Sequence, residues 1–223
     1  MIFGDALRPA DATASTRWLD RACRGEWGTV GALVPNHYES LLRVHAPAPS
    51  DGWWSEYREI FEAVAAVGAR HTSRPDAAWF AVWEGHGFDN IERRIVWMDA
   101  PADEDVRQAR DVQRQRLREE DQRRSAAIRA ELGRVPRFDR PERAYYLLTG
   151  PVTAVTQLRY PDAPDWRRPD LFWPDDRRWF VATDVDFWSL YIGGSSSFVS
   201  EIAETVPTPS APVELDTPLE IED

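Results

Sequence analysis

The sequence contains no lysine, a single cysteine and no long apolar run, and each absence excludes a class of protein. Because Cys23 is alone, intramolecular disulfides and every multi-cysteine metal or redox motif are excluded. No stretch approaches the roughly 18 consecutive apolar residues of a membrane span. The first residues also lack the basic-then-apolar order of a signal peptide. We therefore expect a cytoplasmic protein that does not associate with membranes.

The composition is that of an ordinary globular protein with a strong negative charge. Hydrophobic residues make up 43% of the 223 positions and charged residues 29%, which supplies enough apolar material for one sizeable core. All 27 basic residues are arginine, and 38 acidic residues bring the net charge to −11. Because nucleic-acid binding depends on clustered cations, this charge argues against a nucleic-acid partner and favours a protein partner with a basic surface.

Hydrophobic periodicity predicts an α+β fold: a single domain with a mixed or mostly antiparallel sheet, flanking helices and one long charged surface helix. Helical spacing and capping residues predict helices at 13–24, 55–67, 99–133, 152–158 and 195–205. Short apolar runs predict strands at 29–34, 41–44, 79–83, 95–98, 145–148, 178–183 and 187–192. The prolines within 161–174 predict a loop that lies over the body.

The predicted globular domain covers residues 1–206, and an acidic, proline-rich tail follows it. Residues 207–223 hold four prolines and five acidic residues with no basic residue. This composition is typical of a loose tail, although residues 213–215 have the pattern of a docked edge strand.

Residues 99–133 are predicted to form the longest helix, and their apolar content is low. Val106, Leu117 and Ile128 follow one another at intervals of eleven residues, which is about three helical turns. We interpret the helix as a charged surface element that touches the body along this narrow stripe. A pairing surface for another chain is the alternative.

Several short motifs resemble a family of uncharacterised cytosolic proteins of actinobacteria. They lie at 83–87, 145–151, 169–177, 179–186 and 191–195, and include YYLLTGP, LFWPDDRRWFVATDVD and YIGGS. The resemblance covers most of the chain outside the long helix and the tail, and it implies a shared fold without an established activity. The long helix is less similar, which marks residues 99–133 as a candidate insertion.

Two motifs carry candidate catalytic chemistry. Asp184 and Asp186 form a D-x-D pair that can hold a divalent ion, although aspartates in a hairpin turn usually bind the backbone. His86 lies between two glycines beside Glu84, so these two residues are candidate acid–base groups. The four histidines form no metal-binding pair, and no glycine-rich dinucleotide loop occurs, so neither a metal nor a cofactor is predicted.

Gly193, Gly194 and Ser195 precede a predicted helix and could surround an anion with backbone N–H groups and a hydroxyl. The motif lacks the lysine of a P-loop and the pattern of a nucleophile elbow. Ser195 as an ordinary helix cap is the alternative interpretation.

The leading hypothesis is a non-enzymatic binding protein of the immunity or inhibitor type. Aromatic residues are dense from Trp166 to Tyr191, and strand alternation places about half of such residues in the core. We predict that the remaining exposed patch binds an arginine- or lysine-rich protein through charge and cation–π contacts. Its predicted members are Trp173, Asp175, Asp176, Asp184 and Asp186. The alternative is an enzyme acting on a small or sugar-like ligand through Glu84, His86, Asp184 and Asp186.

Overall fold

Antiparallel pairing joins nine strands into one open sheet, and helices cover both of its faces, which confirms the predicted single α+β domain. The computed structural model describes residues 3–10, 16–46, 53–86, 104–141, 143–159 and 166–220. The predicted strand at 95–98 lies outside these residues.

The strands are β1 Arg8–Pro9, β2 Ser40–Val44, β3 Ala78–Trp83, β4 Arg137–Arg140, β5 Arg143–Gly150, β6 Leu171–Pro174, β7 Phe180–Asp184, β8 Phe187–Gly194 and β9 Ser210–Pro212. Their order across the sheet is β1-β5-β3-β6-β7-β8-β2-β9, and β4 also pairs with β5. The helices are α1 Leu19–Ala22, α2 Val30–Leu33, α3 Trp53–Arg70, α4 Glu104–Leu132 and α5 Ser196–Thr205. Two 3₁₀ helices span Glu84–His86 and Val152–Gln157.

Each face of the sheet carries its own apolar cluster, because side chains alternate along a strand. On one face Phe80 and Phe172 stack at 4.9 Å beneath α3 and α5. On the other face Trp173 and Phe180 stack at 5.5 Å beneath α1 and α2. All four residues of β6 are buried, as expected for a strand covered on both sides.

The predicted helix at 55–67 is confirmed as α3, whose apolar face includes the buried Tyr57, Phe61 and Val64. The C-terminal end of α3 is fixed by Trp179, whose indole N–H donates to the Gly68 carbonyl at 3.0 Å. A Cβ on Gly68 would lie 2.6 Å from this ring, so only glycine allows so close an approach. The contact holds the end of α3 beside β7.

The predicted strand at 29–34 is wrong, because residues Val30–Leu33 form α2. The N–H groups of Val30 and Gly31 bond to the carbonyls of Thr217 and Leu215, so the C-terminal segment supplies partners that a short apolar run cannot reveal. The predicted loop at 161–174 likewise contains β6, and β4 was not predicted.

The prediction of a loose tail is wrong for residues 207–220. Ser210–Pro212 form β9, which pairs with β2, and Leu215 packs against one of the two apolar clusters. The Glu220 N–H donates to the Tyr191 hydroxyl at 3.2 Å. This acidic segment therefore belongs to the domain.

The long helix α4 lies at the surface, and among its described side chains the ones that join the core are near its C-terminal end. The side chain of Val106, predicted to belong to the contact stripe, lies outside the described ones. Ile128 and Leu132 are buried in the cluster beneath α3, Leu117 is half-buried and Val112 is exposed. Within the described residues, no helix is both long and apolar enough to cross a membrane.

Candidate functional site

Polar residues lie at two opposite ends of the sheet. The two ends are about 14 Å apart, which is the length of the five-residue strand β7. We call one group the Asp170 cluster; it consists of Glu84, His86, Arg137, Arg143, Arg168, Asp170, Asp184 and Asp186. We call the other the α3–α5 cleft; it is lined by Arg70, His71, Thr72, Ser73, Arg178, Ser195 and Ser197.

Asp170 is almost fully buried, just before β6, and it links three strands. One carboxylate oxygen accepts the Trp83 N–H at 2.7 Å and lies 3.2 Å from His86 Nε2. The backbone of Asp170 bonds to Ala81 and Thr183. Arg168, itself buried, provides the counter-charge 3.6 Å away.

The D-x-D pair closes the β7–β8 hairpin and binds an arginine. Arg143 donates to Asp184 at 3.2 Å and to Asp186 at 2.9 Å, so its guanidinium lies where a metal ion would have to bind both carboxylates. The hydrogen bonds to Asp184 raise the pKa of Arg143. Its guanidinium also stacks on the Trp83 ring at 4.6 Å from the centroid.

The four residues of the enzyme hypothesis therefore converge at one end of the sheet, but their charges are already paired. Glu84 forms an ion pair with Arg137 at 2.7 Å, and His86 faces Asp170. Burial raises the pKa of the neighbouring Tyr145, which keeps its phenol protonated at neutral pH. The Asp170 cluster is thus a network of ion pairs that joins strand ends.

The predicted acidic and aromatic surface does not exist as one face. Trp173 has no accessible surface, because its ring packs against Trp18 and Phe180 inside the core. Asp175 and Asp176 lie in the β6–β7 turn, at the end of the sheet opposite the β7–β8 hairpin. Trp173 is buried because both faces of β6 are covered, and the antiparallel order of β6, β7 and β8 separates the two pairs of aspartates. These two features overturn the prediction.

Asp176 lies beside the α3–α5 cleft and binds two of its lining residues, Ser73 and Arg178. Its Oδ2 accepts the N–H and the hydroxyl of Ser73 at 2.8 and 2.9 Å, and its Oδ1 accepts the Arg178 N–H at 3.3 Å. Burial would raise the pKa of Asp176, but these hydrogen bonds outweigh it and lower the pKa. Asp175 accepts the Trp79 indole N–H at 3.2 Å. Both aspartates thus hold the turn that carries Arg178.

The lining of the cleft includes an imidazole, that of His71, which is held by a carboxylate. His71 Nε2 lies 2.6 Å from Glu201 Oε2, and the other oxygen of Glu201 accepts hydrogen bonds from the Arg70 guanidinium. Arg70 and His71 lower the pKa of Glu201, so the carboxylate is ionised at neutral pH. Phe198 packs against the His71 ring at 5.4 Å.

The opposite wall contains the motif predicted to bind an anion. Ser195 caps α5, because its hydroxyl accepts the Phe198 N–H at 3.3 Å, and it lies 3.1 Å from the Ser197 hydroxyl. Gly193 and Gly194 are required by packing, since a Cβ on Gly194 would lie 2.4 Å from the Phe198 ring. Ser195 and Ser197 line the cleft; the cap interpretation is confirmed, and the anion interpretation stays a prediction.

The cleft encloses about 620 Å³, enough for a small molecule. The ion pairs near it involve Arg70, Arg74, Arg178, Asp175, Asp176 and Glu201, and Glu39 accepts the Ser196 N–H. The local charge is therefore close to zero, although the chain as a whole carries −11.

Sequence reasoning missed Arg70, His71, Arg178 and Glu201. A basic residue at the end of a helix is usual, since it compensates the helix dipole, so Arg70 and His71 gave no functional signal. Among the described residues, no group of three or more His, Cys, Asp or Glu side chains is arranged to hold a metal ion. Comparisons with family models, curated proteins and solved structures find no match to the chain.

Proposed function

We propose that the protein binds a small molecule with an anionic group in the α3–α5 cleft. The observation that carries this proposal is the guanidinium of Arg178, whose side chain is 67% exposed at the wall of the cleft. Its nearest carboxylate, Asp176, is 3.7 Å away and is already bonded to Ser73. A guanidinium with free donors matches the oxygens of a phosphate or carboxylate.

The hydroxyl groups of the cleft support the same ligand chemistry. The hydroxyls of Ser195 and Ser197 lie 3.1 Å apart on one wall of the cleft; one donates to the other, and the second can donate to an anionic oxygen. The near-neutral surroundings remove the repulsion that the net charge of the chain would otherwise impose on an anion.

Calorimetric titration with inorganic phosphate tests the proposal. Because one guanidinium and a few hydroxyls contact the ion in water, we expect a Kd on the order of 1 mM, about −4 kcal/mol. Arg178→Gln should weaken binding about tenfold, which is typical for the loss of a hydrogen bond to a charged group. Arg116→Gln, at an exposed position of α4, is the matched control and should bind as the wild type does. Equal affinity of the Arg178 and Arg116 variants would contradict the proposal.

A second proposal, favoured by the net charge of −11, is that the chain also binds a protein with a basic surface. The residues predicted to bind this partner are buried in the core or bonded within the fold. The proposal is therefore supported by the charge of the whole molecule. Affinity capture from the native host, followed by salt-dependent association measurements, tests it. We also propose that the protein is cytoplasmic, which cell fractionation tests. Membership of the actinobacterial family that its motifs resemble is a further proposal.

A further inference from the structure

We propose that His71 is a general base and that the protein hydrolyses carboxylic esters of small molecules that carry an anionic group. The inference rests on the proposed function, because the anion held by Arg178 positions the ester in the α3–α5 cleft.

The contacts of His71 prepare its ring for proton transfer. Glu201 is fixed by Arg70 through one oxygen and accepts from His71 Nε2 through the other at 2.6 Å. This bond places the proton of the neutral ring on Nε2 and the lone pair on Nδ1. Among the described residues, Nδ1 has no protein partner. His71 therefore offers a free basic nitrogen at the wall of a cavity.

The electrostatics of the cleft favour an ester carbonyl over a phosphoryl group as the reacting centre. Phosphoryl transfer relies on metal ions or several unpaired cations to neutralise charge on the transferred group. Near the cleft, Arg70 and Arg74 are paired with carboxylates, and Arg178 alone among the described lining residues offers free guanidinium donors, too few for that role. Attack on a neutral carbonyl needs a hydrogen-bond donor for the developing oxyanion, and the hydroxyl of the Ser195–Ser197 pair that does not donate to the other can provide it.

The reaction consumes one water molecule. His71 Nδ1 takes a proton from water while the water oxygen forms a bond to the carbonyl carbon. The tetrahedral intermediate then breaks its bond to the alcohol oxygen, which receives the proton from the imidazolium. The products are the alcohol and the carboxylic acid, which loses its proton to solvent, and no group is oxidised or reduced. Glu201 is a positioning residue in this scheme, because it acts through His71.

Two chromogenic esters test the inference: mono-4-nitrophenyl succinate, which is anionic, and 4-nitrophenyl acetate, which is neutral. We expect saturable hydrolysis that favours the succinate. His71→Asn should lower kcat about 100-fold or more, the usual contribution of a general base. Glu201→Gln should lower kcat with little change in KM. Arg178→Gln should raise KM for the succinate by a larger factor than for the acetate, because only the succinate carries the anionic group that Arg178 binds.

His45→Asn is the matched control, because His45 also faces a carboxylate, Glu220, at 3.8 Å on the surface. It should leave both rates unchanged, which separates site catalysis from that of any exposed imidazole. Circular dichroism and phosphate titration establish that each variant is folded, and His71→Gln provides a second substitution. Wild-type rates in both His71 variants, or no preference for the succinate, would overturn the inference. Phosphate binding without hydrolysis would overturn it and leave the proposed function intact, whereas absence of phosphate binding would overturn the proposed function.

Discussion

His71 Nε2 and Glu201 Oε2 lie 2.6 Å apart, although the two residues are 130 positions apart in the sequence. The contact joins the C-terminal end of α3 to the middle of α5, and the stacking of Trp179 on Phe198 at 5.7 Å supports it from below. The α3–α5 cleft is therefore a product of how two helices pack on one face of the sheet. Its shape depends on this packing as much as on its lining residues.

Acid should weaken the protein partly through Glu201. Hydrogen bonds from Arg70 and His71 hold its pKa below the ordinary value of 4.5, so the unfolded chain binds a proton more readily than the folded one. The resulting stabilisation is present above pH 4.5 and is lost as the pH falls through the lowered pKa. Glu201→Gln should therefore lose less stability than the wild type between pH 7 and pH 3.

Urea unfolding at a series of pH values measures this effect. Glu204→Gln is the matched control, because Glu204 is exposed on the same helix. It should follow the wild-type curve. If Glu201→Gln followed that curve as well, the ionised carboxylate would not be part of the folded contact.

Trp173→Ala should destabilise the fold by about 3–5 kcal/mol, the usual cost of removing a large aromatic side chain from a core. Trp173 is fully buried, whereas Trp27 is 61% exposed, so Trp27→Ala should change the free energy of unfolding by about 0.5 kcal/mol or less. Thermal or denaturant unfolding compares the two variants. A cost below about 1 kcal/mol for Trp173→Ala would contradict its place in the core.

Asp170→Ala should cost about 3–5 kcal/mol, because it leaves the buried Arg168 without its carboxylate. Asp186→Ala should cost less than about 1 kcal/mol, since its side chain is 60% exposed and Asp184 remains to bind Arg143. Equal losses in the two variants, measured by urea unfolding, would contradict the buried network.

Sequence patterns predicted elements whose partners are local and missed those whose partners are distant. Helix α3 follows from the spacing of its apolar residues. The Ser195 cap follows from a hydroxyl three residues before the Phe198 N–H group from which it accepts. Both were predicted and are confirmed. Helix α2 depends on Thr217 and Leu215, which a local pattern cannot reveal.

The same reason explains the candidate site. Ser195 was predicted from its own neighbourhood, but the pairing of His71 with Glu201 requires α3 and α5 to lie side by side. Trp173 and the four aspartates were assigned to one surface because they are close in sequence. Trp173 lies in the core because both faces of β6 are covered, and the reversals of direction between β6, β7 and β8 place the two pairs of aspartates at opposite ends of the sheet.

Hydrogen exchange should divide α4 into two parts. Residues 107–124 carry no buried side chain among those described, so their amides should exchange faster than those of β3 and β7. Amides around Ile128 and Leu132, which lie in the core, should be better protected. Uniformly slow exchange along the helix would contradict its assignment as a surface element and would favour the pairing surface instead.

The most direct test of the central claim is a residue-resolved NMR titration of the whole protein with inorganic phosphate, with chloride at equal ionic strength as the reference. Binding in the α3–α5 cleft predicts saturable shifts of the amides of Thr72, Ser73, Ser195 and Ser197, which Arg178→Gln reduces. The amides around Asp170, at the other end of the sheet, should not move. Shifts confined to the arginine-rich α4, or no saturable shift at the cleft, would contradict the account.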